Sequence, residues 1–126
     1  MKWKFDNDKP IYLQIVEILK ADIIAKKYEV GQKFPSVRDL AQIAGVNPNT
    51  MQKALVQLEQ EGLLITNRAS GRVVTHDGMQ ITRERESVAS QKVNTFLTEM
   101  DGLGYGLEEV ITLVETEGKE HGISGN

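Results

Sequence analysis

The 126 residues contain no cysteine, two histidines and three prolines, and only 6% of them are aromatic. Without cysteine there is no disulfide framework, no thiolate nucleophile and no thiolate zinc site. The two histidines, His76 and His121, lie far apart in sequence, so no metal site and no other cofactor is expected. No apolar run approaches the roughly 20 residues needed to cross a bilayer. The opening Met1-Lys2-Trp3-Lys4-Phe5-Asp6 lacks the apolar stretch of a secretory signal, so the expectation is a cytoplasmic protein with no membrane partner. Catalytic groupings are equally scarce. Glu84-Arg85-Glu86 and Glu108-Glu109 are carboxylate clusters without a nearby histidine, nucleophile or glycine-rich phosphate loop, and read as solvated helix faces. An enzyme is not expected.

What is present is an ordinary globular composition, 40% hydrophobic and 26% charged, at a length that suits one small domain with an appendage. The net charge of −3 conceals an asymmetry. Residues 1–76 carry 11 Lys and Arg against 8 Asp and Glu, a net +3, whereas residues 77–126 carry 4 against 10, a net −6. A mildly basic unit, 1–76, is therefore followed by an acidic one, 77–126, and only the first has the balance expected beside phosphates.

In the basic unit Pro10 suits a first helical turn, and Tyr12, Ile15, Val16, Leu19 and Ile23 recur at helical spacing. Trp3 reads as a packing anchor ahead of this helix. Gln32-Lys33-Phe34-Pro35 reads as extended, because proline disfavours the helical region for the residue before it. Ser36 with Asp39 approximates a capping box for a short helix over Val37 to Ala44, and Gly45 fits the left-handed position past its end. Only Val46 separates this from Asn47 and Pro48, the cap and first position of a third helix running to about Glu61. Its Met51, Ala54, Leu55 and Leu58 share one face. Leu63 to Thr66 and Arg72 to Thr75 are strand-like runs joined by turn chemistry over Asn67 to Gly71.

Two short helices joined tightly and followed by a hairpin match a helix-turn-helix with a wing, whose second helix enters the major groove. Asn47, Asn49, Thr50, Gln52 and Lys53 then form a plausible reading face, since Asn and Gln suit adenine while Thr and Lys suit the backbone. A merely solvated helix face is the alternative. The runs Phe34-Pro35-Ser36-Val37-Arg38-Asp39-Leu40-Ala41, Gly45-Val46-Asn47-Pro48-Asn49-Thr50-Met51-Gln52-Lys53-Ala54 and Leu58-Glu59-Gln60-Glu61-Gly62-Leu63-Leu64 resemble the DNA-binding half of GntR-family bacterial transcription regulators. With Pro10-Ile11-Tyr12-Leu13-Gln14-Ile15, they resemble in particular its short YtrA-type subfamily.

The resemblance implies that Ser36 and Arg38 approach double-stranded DNA and that the third helix presents Asn47, Pro48, Asn49, Thr50, Gln52 and Lys53. It also implies a wing tip, built from Arg68, Ser70, Gly71 and Arg72, that reaches the minor groove. The family has glycines on either side of one tip residue; here Ala69 replaces the first, which leaves the tip geometry open. Arg72 is expected to compensate by its charge, against the alternative of a solvated hairpin arginine. His76 is an ordinary surface histidine on this reading.

Beyond Asp77-Gly78 a long helix is expected from about Gln80 to Met100, with Val88, Val93, Phe96, Leu97 and Met100 in its apolar stripe. After the break at Asp101 to Gly106, a last helix carries Leu107, Val110, Ile111 and Val114, ahead of a glycine-rich tail from Gly118 expected to be disordered. These stripes need a partner, within the chain or across a two-fold axis. The resemblance implies that both helices serve dimerisation and that no large effector domain is present. The resulting expectation is a mainly α protein with a small β-hairpin, a winged helix-turn-helix followed by two dimerisation helices. It would act as a homodimeric repressor on an inverted repeat, with control of a transporter operon implied by the resemblance and any small-molecule effector left open. A winged helix used only to bind another protein is the competing reading.

Overall fold

The computed structural model describes residues 2–123. Its elements run α1 (Ile11–Ile24), α2 (Val37–Ala44), α3 (Pro48–Gln60), β1 (Leu64–Asn67), β2 (Gly71–Val74), α4 (Gly78–Gly102) and α5 (Leu107–His121). The chain divides into two compact units, the first ending at Arg85 and the second beginning at Glu86. No helix among the described residues is long and apolar enough to cross a membrane.

In the first unit local chemistry sets most boundaries. The entry to α1 is knotted by buried Gln14, whose Nε2 donates to the carbonyls of Asp6 (2.9 Å) and Lys9 (3.0 Å) while its Oε1 accepts from the Asp6 amide at 2.9 Å. A buried amide is tolerated there because its donor and acceptor are both satisfied. Ser36 Oγ accepts from the Asp39 amide at 3.0 Å, capping α2, and Gly45 closes that helix with φ +75°. Gly45 is constrained twice, since the Lys2 side chain also occupies the space a Cβ would need. Asn47 Oδ1 accepts from the Asn49 amide at 2.7 Å and caps α3, with Pro48 supplying the first turn.

The three helices bury one common core. Ile15, Leu19 and Ile23 of α1 meet Leu40 and Ala44 of α2 and Met51, Leu55 and Leu58 of α3, closed by Leu63, Leu64 and Val74 of the hairpin and Ile81 of α4. Each large aliphatic removed from water here contributes roughly 1.5–3 kcal/mol. Trp3 and Phe5 pack against this core, and the Trp3 amide donates to the Ala44 carbonyl at 3.2 Å, so the segment before α1 is strapped over the end of α2.

The hairpin pairs antiparallel from Leu64 with Val74 to Asn67 with Gly71. Each strand ends one residue nearer the tip than the run read in sequence, in the same register, and the two enclose a three-residue loop, Arg68 to Ser70. Asn67 Oδ1 accepts from the amides of Ala69 (2.9 Å) and Ser70 (3.3 Å), and Gly71 takes φ +82°. The left-handed position thus falls on Gly71, and Ala69 fits the tip without positive φ. The extended segment before Pro35 lies along the other edge of β2: Gly31 N donates to Val74 O, Val74 N to Gln32 O and Phe34 N to Arg72 O, each at 2.9 Å.

The second unit holds the rest of α4 and α5, joined through Gly104 at φ +89°. Glu109 Oε1 accepts from the Gly106 amide at 3.0 Å, fixing the start of α5. Contrary to the disordered tail expected from Gly118, α5 continues to His121 and is closed by Gly122 at φ +81°. Lys119 and His121 in the last turn complement the helix dipole, and the left-handed cap satisfies terminal carbonyls, which offsets the roughly 1 kcal/mol cost of a mid-helix glycine. The remainder of that tail, residues 124–126, lies outside the described residues.

Candidate nucleic-acid interface

α3 has two chemically opposite sides. Met51, Ala54, Leu55 and Leu58 are buried beneath it, whereas Asn49, Gln52 and Lys53 are exposed, with Thr50 half-buried between them. Burial of the first set holds the second outward. The tight turn through Gly45 and Val46 brings the end of α2 against the start of α3; the Val46 amide donates to the Ala41 carbonyl at 3.0 Å. Pro48 is exposed at the first position of the helix.

Several of these side chains already have intramolecular partners. Ser36 and Asn47 use their oxygens as helix caps, leaving the Ser36 hydroxyl hydrogen and the Asn47 amide hydrogens to donate outward. Lys53 Nζ sits 4.1 Å from the centroid of the Tyr12 ring, so the cation is guided by an aromatic face on α1. Arg38 is exposed on the first turn of α2 and makes no ion pair with the described residues.

The wing is fastened to α3 by one carboxylate. Glu59 Oε1 accepts from Arg72 Nε at 2.9 Å and lies 2.8 Å from its Nη2, while Glu59 Oε2 accepts from Thr66 Oγ1. Thr66 and Arg72 are cross-strand partners, so Glu59 grips both strands at the same rung. Arg72 Nη1 also donates to Gln52 Oε1 at 3.4 Å. Arg72 is thus held against α3 in this structure, whereas Arg68 is exposed at the tip beside half-buried Ser70 and exposed Gly71. Reading the sequence missed Glu59, Thr66 and Tyr12 as parts of this surface. The available signal was that Gln52 and Glu59 stand seven residues apart, two helical turns, and so share a face.

The second unit presents the other predicted residues. Val110 is buried, and Val88, Leu97 and Met100 are half-buried. Val93 (52%), Phe96 (38%), Leu107 (63%), Ile111 (46%) and Val114 (52%) retain large exposed fractions. Phe96, Met100, Leu113 and Val114 help line an open cleft of about 560 Å³ within this unit.

A capped helix pair with a tight glycine turn, a polar outward face on its second helix and a hairpin clamped beside that helix define a winged helix-turn-helix. The profile of bacterial regulatory proteins of the gntR family matches residues 11–74. The chain is 30% identical over 113 residues to the HTH-type transcriptional regulator YhcF of Bacillus subtilis, covering 90% of this chain and 93% of that protein. It is 39% identical over 71 residues to the HTH-type transcriptional repressor YtrA of Bacillus subtilis, over 56% of this chain and 55% of that one. A solved GntR family transcriptional regulator from Listeria monocytogenes superposes with a TM-score of 0.84 at 38% identity, covering 89% of this chain and 98% of that chain. The protein therefore belongs to the GntR family, DNA-binding transcription regulators that are not enzymes.

Proposed function

We propose that this protein is a homodimeric repressor acting in the cytoplasm, which binds an inverted-repeat operator through α3 and its wing and blocks access of the polymerase. The observation that carries this reading is the polar face of α3, left open by burial of the opposite face while Glu59 holds the wing alongside. In a two-fold dimer the two α3 helices enter successive major grooves of a palindromic site. The similarity to a transcriptional repressor supports the sign of regulation.

Ser36, Arg38 and the start of α3 face phosphates and base edges on this reading, and Arg68 at the tip approaches the minor groove. Binding is tested by fluorescence anisotropy with the DNA upstream of the protein's own coding region, against a scrambled duplex, across a salt series. Saturable binding that prefers the native duplex and weakens steeply with salt supports the reading. Equal weak binding to both duplexes, or none at low salt, favours a protein-interaction module. Arg38→Ala is expected to lose roughly 1–3 kcal/mol of operator affinity, with the loss depending on sequence. An unchanged affinity removes Arg38 from the interface. Lys53→Ala is expected to weaken binding about equally on all sequences and to flatten the salt slope, as a lost phosphate contact does.

A further inference from the structure

The outer half of the wing has little of its own to hold it in place. Beyond Leu64 on β1 and Val73 on β2 no hairpin side chain is buried, so apolar packing fixes the base of the wing and leaves Ile65 to Arg72 outside the core. The segment running beside β2 gives out at the same level, its last bond passing from the Phe34 amide to the Arg72 carbonyl. Among the described residues, the side-chain bonds that tie this outer half to the body of the unit all end on α3. Glu59 takes Arg72 Nε and Nη2 with one oxygen and Thr66 Oγ1 with the other, and Gln52 Oε1 accepts from Arg72 Nη1. The Arg72 and Glu59 side chains are only 17% and 25% exposed, so salt screens this pair less than a surface one. A segment without buried apolar contacts opens readily unless such a clamp closes it.

Building on the DNA-binding reading above, we propose that Glu59 is a positioning residue for operator choice: by gripping Thr66 and Arg72 at one rung it fixes where Arg68 meets the DNA, so that a preference for narrow minor groove in the operator flanks depends on a carboxylate of α3. Arg68 follows Thr66 by two residues and makes no ion pair with the described residues. The Asn67 side chain closes the turn, so the tip moves as one body with the rung beneath it. A narrow, A·T-rich minor groove has an enhanced negative potential that attracts arginine. That attraction distinguishes sequences only while the guanidinium is held in the groove; on a swinging hairpin it settles on nearby phosphates, which carry no sequence information. Arg72 then serves the clamp and Arg68 the groove.

The test is selection from a randomised duplex library with the full chain, comparing wild type, Arg68→Ala and Glu59→Ala. Arg68→Ala locates the flanks by losing its A·T enrichment there. The wild type is expected to favour A·T pairs at those flanks by roughly fivefold or more, and Glu59→Ala to lose most of that preference while the major-groove positions keep theirs. Removing a carboxylate beside DNA raises affinity on every sequence alike, and a loss of stability lowers it alike, so neither effect moves the flank preference. Thr66→Val combined with Arg72→Met removes both wing partners of the clamp and is expected to give the same loss; it replaces Glu59→Ala if that variant loses its helical circular dichroism. A wild type without A·T enrichment that depends on Arg68, or enrichment that survives in either folded clamp variant, overturns the inference and leaves the operator reading standing. Failure of the wild type to enrich any sequence overturns the operator reading, and this inference with it.

Discussion

Phe96→Asp together with Leu97→Asp is expected to yield monomers and to weaken operator binding by roughly a hundredfold or more. Phe96 is 38% exposed and Leu97 half-buried on α4, and Ile111 and Val114 of α5 extend the apolar surface of this unit at 46% and 52% exposure. In the proposed dimer, acidic side chains placed there bring charge into an apolar contact, and desolvating an unpaired carboxylate costs several kcal/mol. The partner chain would carry the same two charges, doubling the penalty across a two-fold axis. Operator affinity falls because a monomer loses the second half-site, and linked binding of two sites gains about 10²–10⁴ over one. Light scattering reads the mass and anisotropy the affinity. A variant that remains dimeric shows that the interface lies elsewhere.

Leu55→Ala acts within the first unit and through different physics. Leu55 is fully buried in the middle of α3, within the core shared by α1, α2 and the hairpin. Truncating a buried leucine removes transfer free energy and leaves a cavity, a loss of about 2–5 kcal/mol. Against the 5–15 kcal/mol typical of a domain that is a large fraction, and a melting temperature lower by roughly 10 °C or more is expected. Thermal denaturation followed by circular dichroism checks the shift. Operator affinity at low temperature should fall far less, since Leu55 lies on the side of α3 opposite the reading face; a variant that kept its melting temperature while losing affinity would contradict this division of labour.

The elements read correctly from sequence were those whose signals are local. The bounds of α2, Val37–Ala44, follow from Ser36 and Gly45, and the start of α3 from Asn47 and Pro48, because a cap and a left-handed glycine act within one turn of the residues they organise. The hairpin strands keep the pairing register of the runs read in sequence and only end one residue nearer the tip, where the Asn67 side chain holds the turn closed over Ala69 and Ser70 and Gly71 takes the positive φ. The end of α5 was misjudged because Gly118 looked like a terminator, whereas the residues that end the helix stand after it, at His121 and Gly122.

The candidate site divides along the same line. By itself the sequence determined the helix-turn-helix and the polar face of α3, since both rest on spacing and capping along a continuous stretch of chain. Only the tertiary structure decided which of those polar groups stand free and which are spoken for. Arg72 meets Glu59 across 13 residues and Gln52 across 20, and Lys53 lies over Tyr12 from a different helix. No local preference encodes such pairings; they exist because burial of the apolar core brings α1, α3 and the hairpin together and leaves their charged side chains to find partners at the rim.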